Sequence, residues 1–161
     1  MLGKIFDFLS VDTEKDNCVQ ALKSFNLPIT GSTWWAKYPK RAVEEIYKMK
    51  ENTSASLRCT GNQLVWEERV VNNFGATFVI SIKSMENHPF AAPKVFLKSP
   101  CVEPHRDRHM YKDGSLCLFK PEFYSSRMSI LEIRNLSCSW CFCYSAYKNT
   151  GKWSGAEEFH F

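Results

Sequence analysis

The chain has 161 residues, 44% of them hydrophobic and 24% charged, with a net charge of +4. That is one ordinary domain with room for a core, and the composition excludes a disordered chain. The mild charge is spread along the chain, which argues against nucleic acid as a partner. No run approaches the roughly twenty apolar residues needed to span a bilayer, which argues against a membrane. The opening residues, interrupted by Lys4 and Asp7, are too short for a signal core. The seven cysteines, an odd number, are therefore expected as free thiols in a reducing cytoplasm.

Residues 13–25 suit a short helix with Cys18, Val19, Leu22 and Phe25 on one side, stopped by Leu27-Pro28. Residues 29–38 contain Gly31, Ser32 and Thr33 and read as a loop anchored by Trp34 and Trp35. Residues 39–51 suit a better helix. Proline is tolerated in a first turn, and Val43, Ile46, Tyr47 and Lys50 recur at i, i+3, i+4 and i+7. Its charged residues, Glu44, Glu45, Lys48 and Lys50, are expected on a solvated face.

Strands are expected at 55–59 and 64–71, flanking the turn dipeptide Gly61-Asn62. Residues 76–84 alternate, with Phe78, Ile80 and Ile82 on one face, and 94–98 read as a fourth strand. Turns at this short spacing indicate an antiparallel meander rather than βαβ units, so the fold class is α/β of the α+β kind. Residues 99–116 hold Pro100, Pro104, His105, His109 and Asp113-Gly114, and read as an extended, irregular loop of the length that is usually functional or disordered. Ser129 is placed to cap a helix starting at Ile130, with Glu132 near the cap. Helix is expected to resume over 137–148, with Trp140, Tyr144 and Tyr147 on one face, and to stop at Gly151. A short tail carries Trp153, Glu157, Glu158 and His160. No internal repeat or linker divides the chain, so residues 1–161 read as a single domain.

The stretch His109-Met110-Tyr111-Lys112-Asp113-Gly114-Ser115-Leu116-Cys117-Leu118 carries the candidate chemistry. On local residues alone, a cysteine between leucines is a buried core thiol, and a reactive one needs surroundings that favour its thiolate. Cys138-x-x-Cys141-x-Cys143 invites a zinc site, with a fourth ligand from Cys101, His105 or His160. On one helix, however, Cys143 points away from Cys138, so core packing is the reading adopted. A zinc deaminase would need a His-x-Glu partnered with Pro-Cys-x-x-Cys, which the chain lacks. A cysteine hydrolase pairing Cys117 with His105, His109 or His160 is open from the residues, although the meander speaks against it.

Two motifs in order change this balance. A turn of the type His88-Pro89-Phe90-x-x-Pro93-Lys94-Val95 precedes Asp113-Gly114-Ser115-Leu116-Cys117-Leu118, and Trp140, Tyr144 and Thr150-Gly151-Lys152-Trp153-Ser154-Gly155 follow. With a helix and a meander ahead of them, they resemble the ubiquitin-conjugating enzyme family, closest to its divergent prokaryotic branch found in CBASS-type antiphage operons. The resemblance covers residues 39–161, leaving 1–38 as a variable N-terminal extension.

It implies a four-stranded antiparallel sheet packed on helices, and a thioester carried on Cys117 and passed to an amine. His109 occupies the position, eight before the cysteine, where eukaryotic relatives carry an oxyanion-supporting asparagine. Two roles for it stand open: donor or base at the thioester, or a tie within the loop. Tyr111, six before the cysteine, matches an aromatic that lines the lysine's approach. Asp113 and Glu122 are the nearby acids, both expected as solvated loop residues.

By the same resemblance the cargo is the C-terminus of a cGAS/DncV-like nucleotidyltransferase, or a ubiquitin-like protein, delivered by a separate activating enzyme where one exists. No cofactor is required for the transfer step. A binding-only module of the same fold is the alternative.

Overall fold

The computed structural model describes residues 11–154. The expectations for the opening residues and for Gly155, Glu157, Glu158 and His160 lie outside the described residues. Helix α1 (Val11–Ser24) and a four-residue helix α2 (Trp34–Lys37) lead into α3 (Pro39–Asn52). Strands β1 (Ser56–Thr60), β2 (Gln63–Val71), β3 (Thr77–Lys83) and β4 (Lys94–Ser99) follow, and α4 (Ile130–Thr150) closes the fold. The sheet order is β1-β2-β3-β4 with every pair antiparallel, as the spacing of turn dipeptides requires.

Side-chain alternation turns one face of this sheet towards the helices. Leu64, Trp66 and Val70 of β2 and Phe78, Ile80 and Ile82 of β3 are buried there in one cluster with Ile46, Met49, Ile130 and Ile133 from α3 and α4. Glu68 shares the β2 inner face and is matched by a fork from α4, with Arg134 Nε to Oε2 and Nη2 to Oε1 both at 2.8 Å. The N-terminal segment belongs to the same core. Helix α1 packs on α3, and Cys18, Leu22, Trp34 and Trp35 are buried within the cluster.

Three local expectations change. The stretch around Trp34 and Trp35 is a helical turn rather than pure loop, with Trp34 Nε1 donating to Ser84 Oγ and Trp35 Nε1 to the Pro28 carbonyl. The buried stripe of α3 runs through Ala42, Val43, Glu45, Ile46 and Met49. Lys50 is exposed and Glu45 is in the core, so the solvated face does not include Glu45. The stripe is rotated because an i, i+3, i+4, i+7 series also runs through Ala42, Glu45, Ile46 and Met49, which a count of apolar residues overlooks.

Finally, α4 is one continuous helix from Ile130 rather than a fresh start near 137. Ser129 forms a full capping box with Glu132, and Gly151 ends the helix in the left-handed region at φ 70°.

Candidate active site

Cys117 is carried by a small hairpin laid along the edge of β4. The Tyr111 carbonyl accepts from Gly114 N at 2.9 Å, and Gly114 takes the φ of 85° that the turn requires. Asp113 Oδ1 receives Ser115 N at 2.9 Å and Ser115 Oγ at 2.6 Å, so the side chain completes the turn. Beyond it Tyr111 N donates to Ser115 O at 2.8 Å and Cys117 N to His109 O at 2.8 Å. Leu116 N donates to Val95 O at 2.8 Å, fastening the hairpin to the sheet. Two residues six apart in sequence are thus folded back beside one another.

That fold-back sets the environment of the thiol. Cys117 is only 5% exposed, and Tyr111 is its neighbour across the hairpin. Burial pushes the thiol up to about 11, while the Tyr111 hydrogen bond pulls the other way. The tyrosine itself is pushed up to about 12, by burial first and then by Cys117. Both groups are therefore protonated at neutral pH.

His109 reaches Cys117 through its backbone. It caps a 3-10 turn at Arg106–Arg108 with φ 50°, a left-handed conformation that costs a non-glycine residue about 1–2 kcal/mol. Its carbonyl accepts from Trp140 Nε1 at 3.1 Å as well as from Cys117 N. Its imidazole is buried flat against Trp153, with ring centroids 4.5 Å apart and planes at 28°. Trp153 packs in turn on Trp140 and Tyr147 of α4.

A cleft of about 470 Å³ lies beside the cysteine segment, with Leu116 and Leu118 in its lining and Tyr111 as one wall. The turn before β4 supplies Phe90 and Pro93, and the segment after the cysteine supplies Leu118, Phe119 and Tyr124. Lys94 and Asp113 pair across its rim at 2.6 Å. The Lys94 hydrogen bond, with those from Ser115, holds Asp113 down at about 2. Asp113 is thus committed to the turn and to Lys94.

The segment after the cysteine is pinned from below by α3. Arg41 donates to the carbonyls of Ser126 and Met128 at 2.8 and 2.9 Å and to Glu45 Oε1 at 2.6 Å. Glu45 Oε2 accepts from Ile130 N at 2.8 Å, and His88 Nε2 lies 3.9 Å from Oε1. The Tyr124 hydroxyl donates to Pro89 O at 2.7 Å.

Of the other candidates, His105 is exposed, and its Nδ1 accepts from Asp107 N at 3.2 Å. Glu122 is exposed in the segment after the cysteine. Cys141 is buried in the core, whereas Cys138 and Cys143 are half-buried on α4. Among the described residues no three His, Cys, Asp or Glu side chains are grouped to hold a metal ion. None of the described helices is long and apolar enough to cross a membrane. Sequence reasoning missed Trp140 and Trp153 as supports of the His109 loop. The only signal for them was their place in the second motif.

A helix, a four-stranded antiparallel meander, a cysteine hairpin on the last strand's edge and a closing helix make up the fold of the ubiquitin-conjugating enzymes. Residues 45–161 match the family described as Type II CBASS E2 protein, and the chain belongs to that family. No curated protein matches it. Family membership gives this bacterial chain a conjugating-enzyme-like part in CBASS antiphage defence, among protein partners of the operon.

Proposed function

We propose that the protein is a cytoplasmic acyl carrier that takes a protein C-terminus as a thioester on Cys117 and transfers it to an amine. The observation that carries this reading is the placement of Cys117. Cys117 is held by a hydrogen-bonded hairpin that also carries Tyr111, and its neighbours Leu116 and Leu118 line a cleft. A core cysteine needs none of these.

In the first step the Cys117 sulfur, losing its proton, attacks the carbonyl carbon of an activated C-terminus. The donor is an acyl adenylate or thioester supplied by a separate activating partner, and its bond to AMP or to the partner's sulfur breaks as the new C–S bond forms, the leaving group taking up the proton. In the second an amine attacks the thioester carbon, and the C–S bond breaks as the amide forms. The preferred cargo is the C-terminus of a cGAS/DncV-like nucleotidyltransferase, and a ubiquitin-like protein is the other. His109 ties the loop in this reading, because its carbonyl serves Cys117 N and Trp140 while its ring is stacked on Trp153. The Tyr111 ring lines the amine's approach.

A second reading, a binding-only module, draws on the burial of Cys117 and its neutral thiol. One experiment separates the two. Incubation with each candidate cargo and its activating partner is expected to give an adduct that a reducing thiol releases. Cys117→Ala is expected to abolish it, and Cys117→Ser to leave a slower-forming, thiol-resistant oxyester. A wild-type protein that binds cargo but gives no thiol-labile adduct would establish the binding module instead.

A further inference from the structure

The backbone beside Cys117 is strained at one residue. Among the described non-glycine residues only Asn26 and His109 have a positive φ, and His109 stands at φ 50° and ψ 54°. That conformation carries the chain out of the 3-10 turn, where His109 N donates to Arg106 O at 2.9 Å. It also delivers the His109 carbonyl to Cys117 N at 2.8 Å. A left-handed angle crowds the Cβ of an L-residue, so the surroundings must hold it there.

Two tryptophans do the holding, by different means. Trp140 Nε1 fastens the carbonyl at 3.1 Å. Trp153 fastens the side chain, stacked on an imidazole that is itself buried. Trp153 is delivered by a bend that α4 ends in. Gly151 leaves the helix at φ 70° with its N donating to Tyr147 O at 2.8 Å, and Lys152 N donates to Thr150 Oγ1 at 3.2 Å. The chain thus doubles back, and Trp153 comes to rest on Trp140 and Tyr147, with ring centroids 5.7 and 6.1 Å away.

We infer that position 109 serves the cysteine through its backbone, and that Trp153 is the positioning residue that keeps this backbone left-handed. The imidazole is the handle that Trp153 grips, not a group that moves protons. Resting on the reading of Cys117 as an acyl carrier, Trp153 thereby sets where the acylated sulfur sits. The two roles of position 109 separate at one substitution. Glycine accepts a positive φ without a handle, whereas alanine keeps the strain and loses the grip.

The test uses the full chain with Trp153→Ala, Trp153→Phe, His109→Ala, His109→Gly and the double variant Trp153→Ala/His109→Gly, with thermal melts as folding controls. In the free protein, Cys117 alkylation by iodoacetamide is followed by peptide mass. The thiol is only 5% exposed, so the rate reports how firmly the loop is held. Trp153→Ala and His109→Ala are each expected to react about tenfold faster than the wild type, the ratio equivalent to one unsupported left-handed residue. Trp153→Phe, which keeps a ring to stack, should recover most of that loss. His109→Gly should react about tenfold more slowly than His109→Ala, and adding Trp153→Ala to it should change nothing. Equal rates in His109→Gly and His109→Ala would overturn the backbone role. An unchanged rate in Trp153→Ala, or its full effect persisting in the double variant, would show that Trp153 does not act through residue 109.

In the loaded protein, charged from a synthetic peptide thioester, single-turnover discharge to free lysine is measured at varied amine concentration. Here the sign reverses. Trp153→Ala and His109→Ala are expected to lower the limiting rate about tenfold by misplacing the thioester, with the half-saturating amine concentration unchanged. His109→Gly should discharge faster than His109→Ala. Discharge equally slow in both would give the imidazole a part in the reaction and sink the inference. A wild type that accepts no acyl group would refute the carrier reading by itself, while the alkylation series would still decide for or against Trp153.

Discussion

Glu45 and Cys117 are both buried ionisable groups, and burial is the largest influence on each, yet they end in opposite states. At Glu45 the pull of His88, the Ile130 amide and Arg41 outweighs burial, and the carboxyl falls below its ordinary value. At Cys117 burial is opposed by the Tyr111 hydrogen bond alone, and the thiol rises to about 11. The first site spends its charge on architecture, joining α3 to the start of α4 and, through Arg41, to the segment after the cysteine. The second keeps its group neutral, between two leucines that line a cleft. A buried carboxylate held by a guanidinium and a backbone amide is committed to the architecture.

The largest effect is expected where the first site is broken. Glu45→Ala removes the acceptor of Ile130 N and the partner of Arg41, and should cost about 3–5 kcal/mol, as for other broken buried pairs. Chemical denaturation reads this directly. A matching pH test sharpens the point. Because the folded carboxyl sits below its ordinary 4.5, its stabilisation is complete above that pH and is lost as pH falls through the lower folded value. Glu45→Gln, melted from pH 7 to 3, should lose less stability over that acid range than the wild type does, with His88 and Arg41 present in both. Equal acid losses would show that Glu45 is not the charged tie described.

On the cysteine side, Trp140→Phe deletes the indole donor to the carbonyls of Arg108 and His109. It should cost about 1–3 kcal/mol. It should also make Cys117 more readily alkylated at pH 7, because loosening the loop relieves the burial that keeps the thiol neutral. A stability loss without faster alkylation would mean that the loop is held from elsewhere. The smallest effect is expected at Ser129→Ala, which removes one half of the α4 capping box and should cost about 1 kcal/mol. The cysteine hairpin is fastened to β4 rather than to this helix end, so Cys117 alkylation should not change.

The same contrast marks what could be read from the chain alone. The meander, the Gly61-Asn62 turn, the α4 capping box and the Gly151 stop were all legible, because each follows from a period of two or from a backbone angle only certain residues accept. Helix α3 was legible as a helix, but its inner face was misjudged. A glutamate on the buried stripe is indistinguishable from a surface one until Arg41, His88 and Ile130 N are seen around it. Cys117 and Tyr111 were found through motifs, not through contact.

The sequence by itself determined the fold class and where the candidate cysteine falls, since local periodicity and turn chemistry are properties of neighbours in the chain. Only the tertiary structure decided how His109 and Tyr111 are disposed around Cys117. His109 and Tyr111 lie eight and six residues away in sequence. The Asp113-Gly114 turn folds Tyr111 back alongside the cysteine strand of the hairpin, while Trp153, brought round by α4, takes the face of the His109 ring. Proximity across a turn and burial beneath a distant helix are long-range consequences of packing, and no spacing in the chain specifies them.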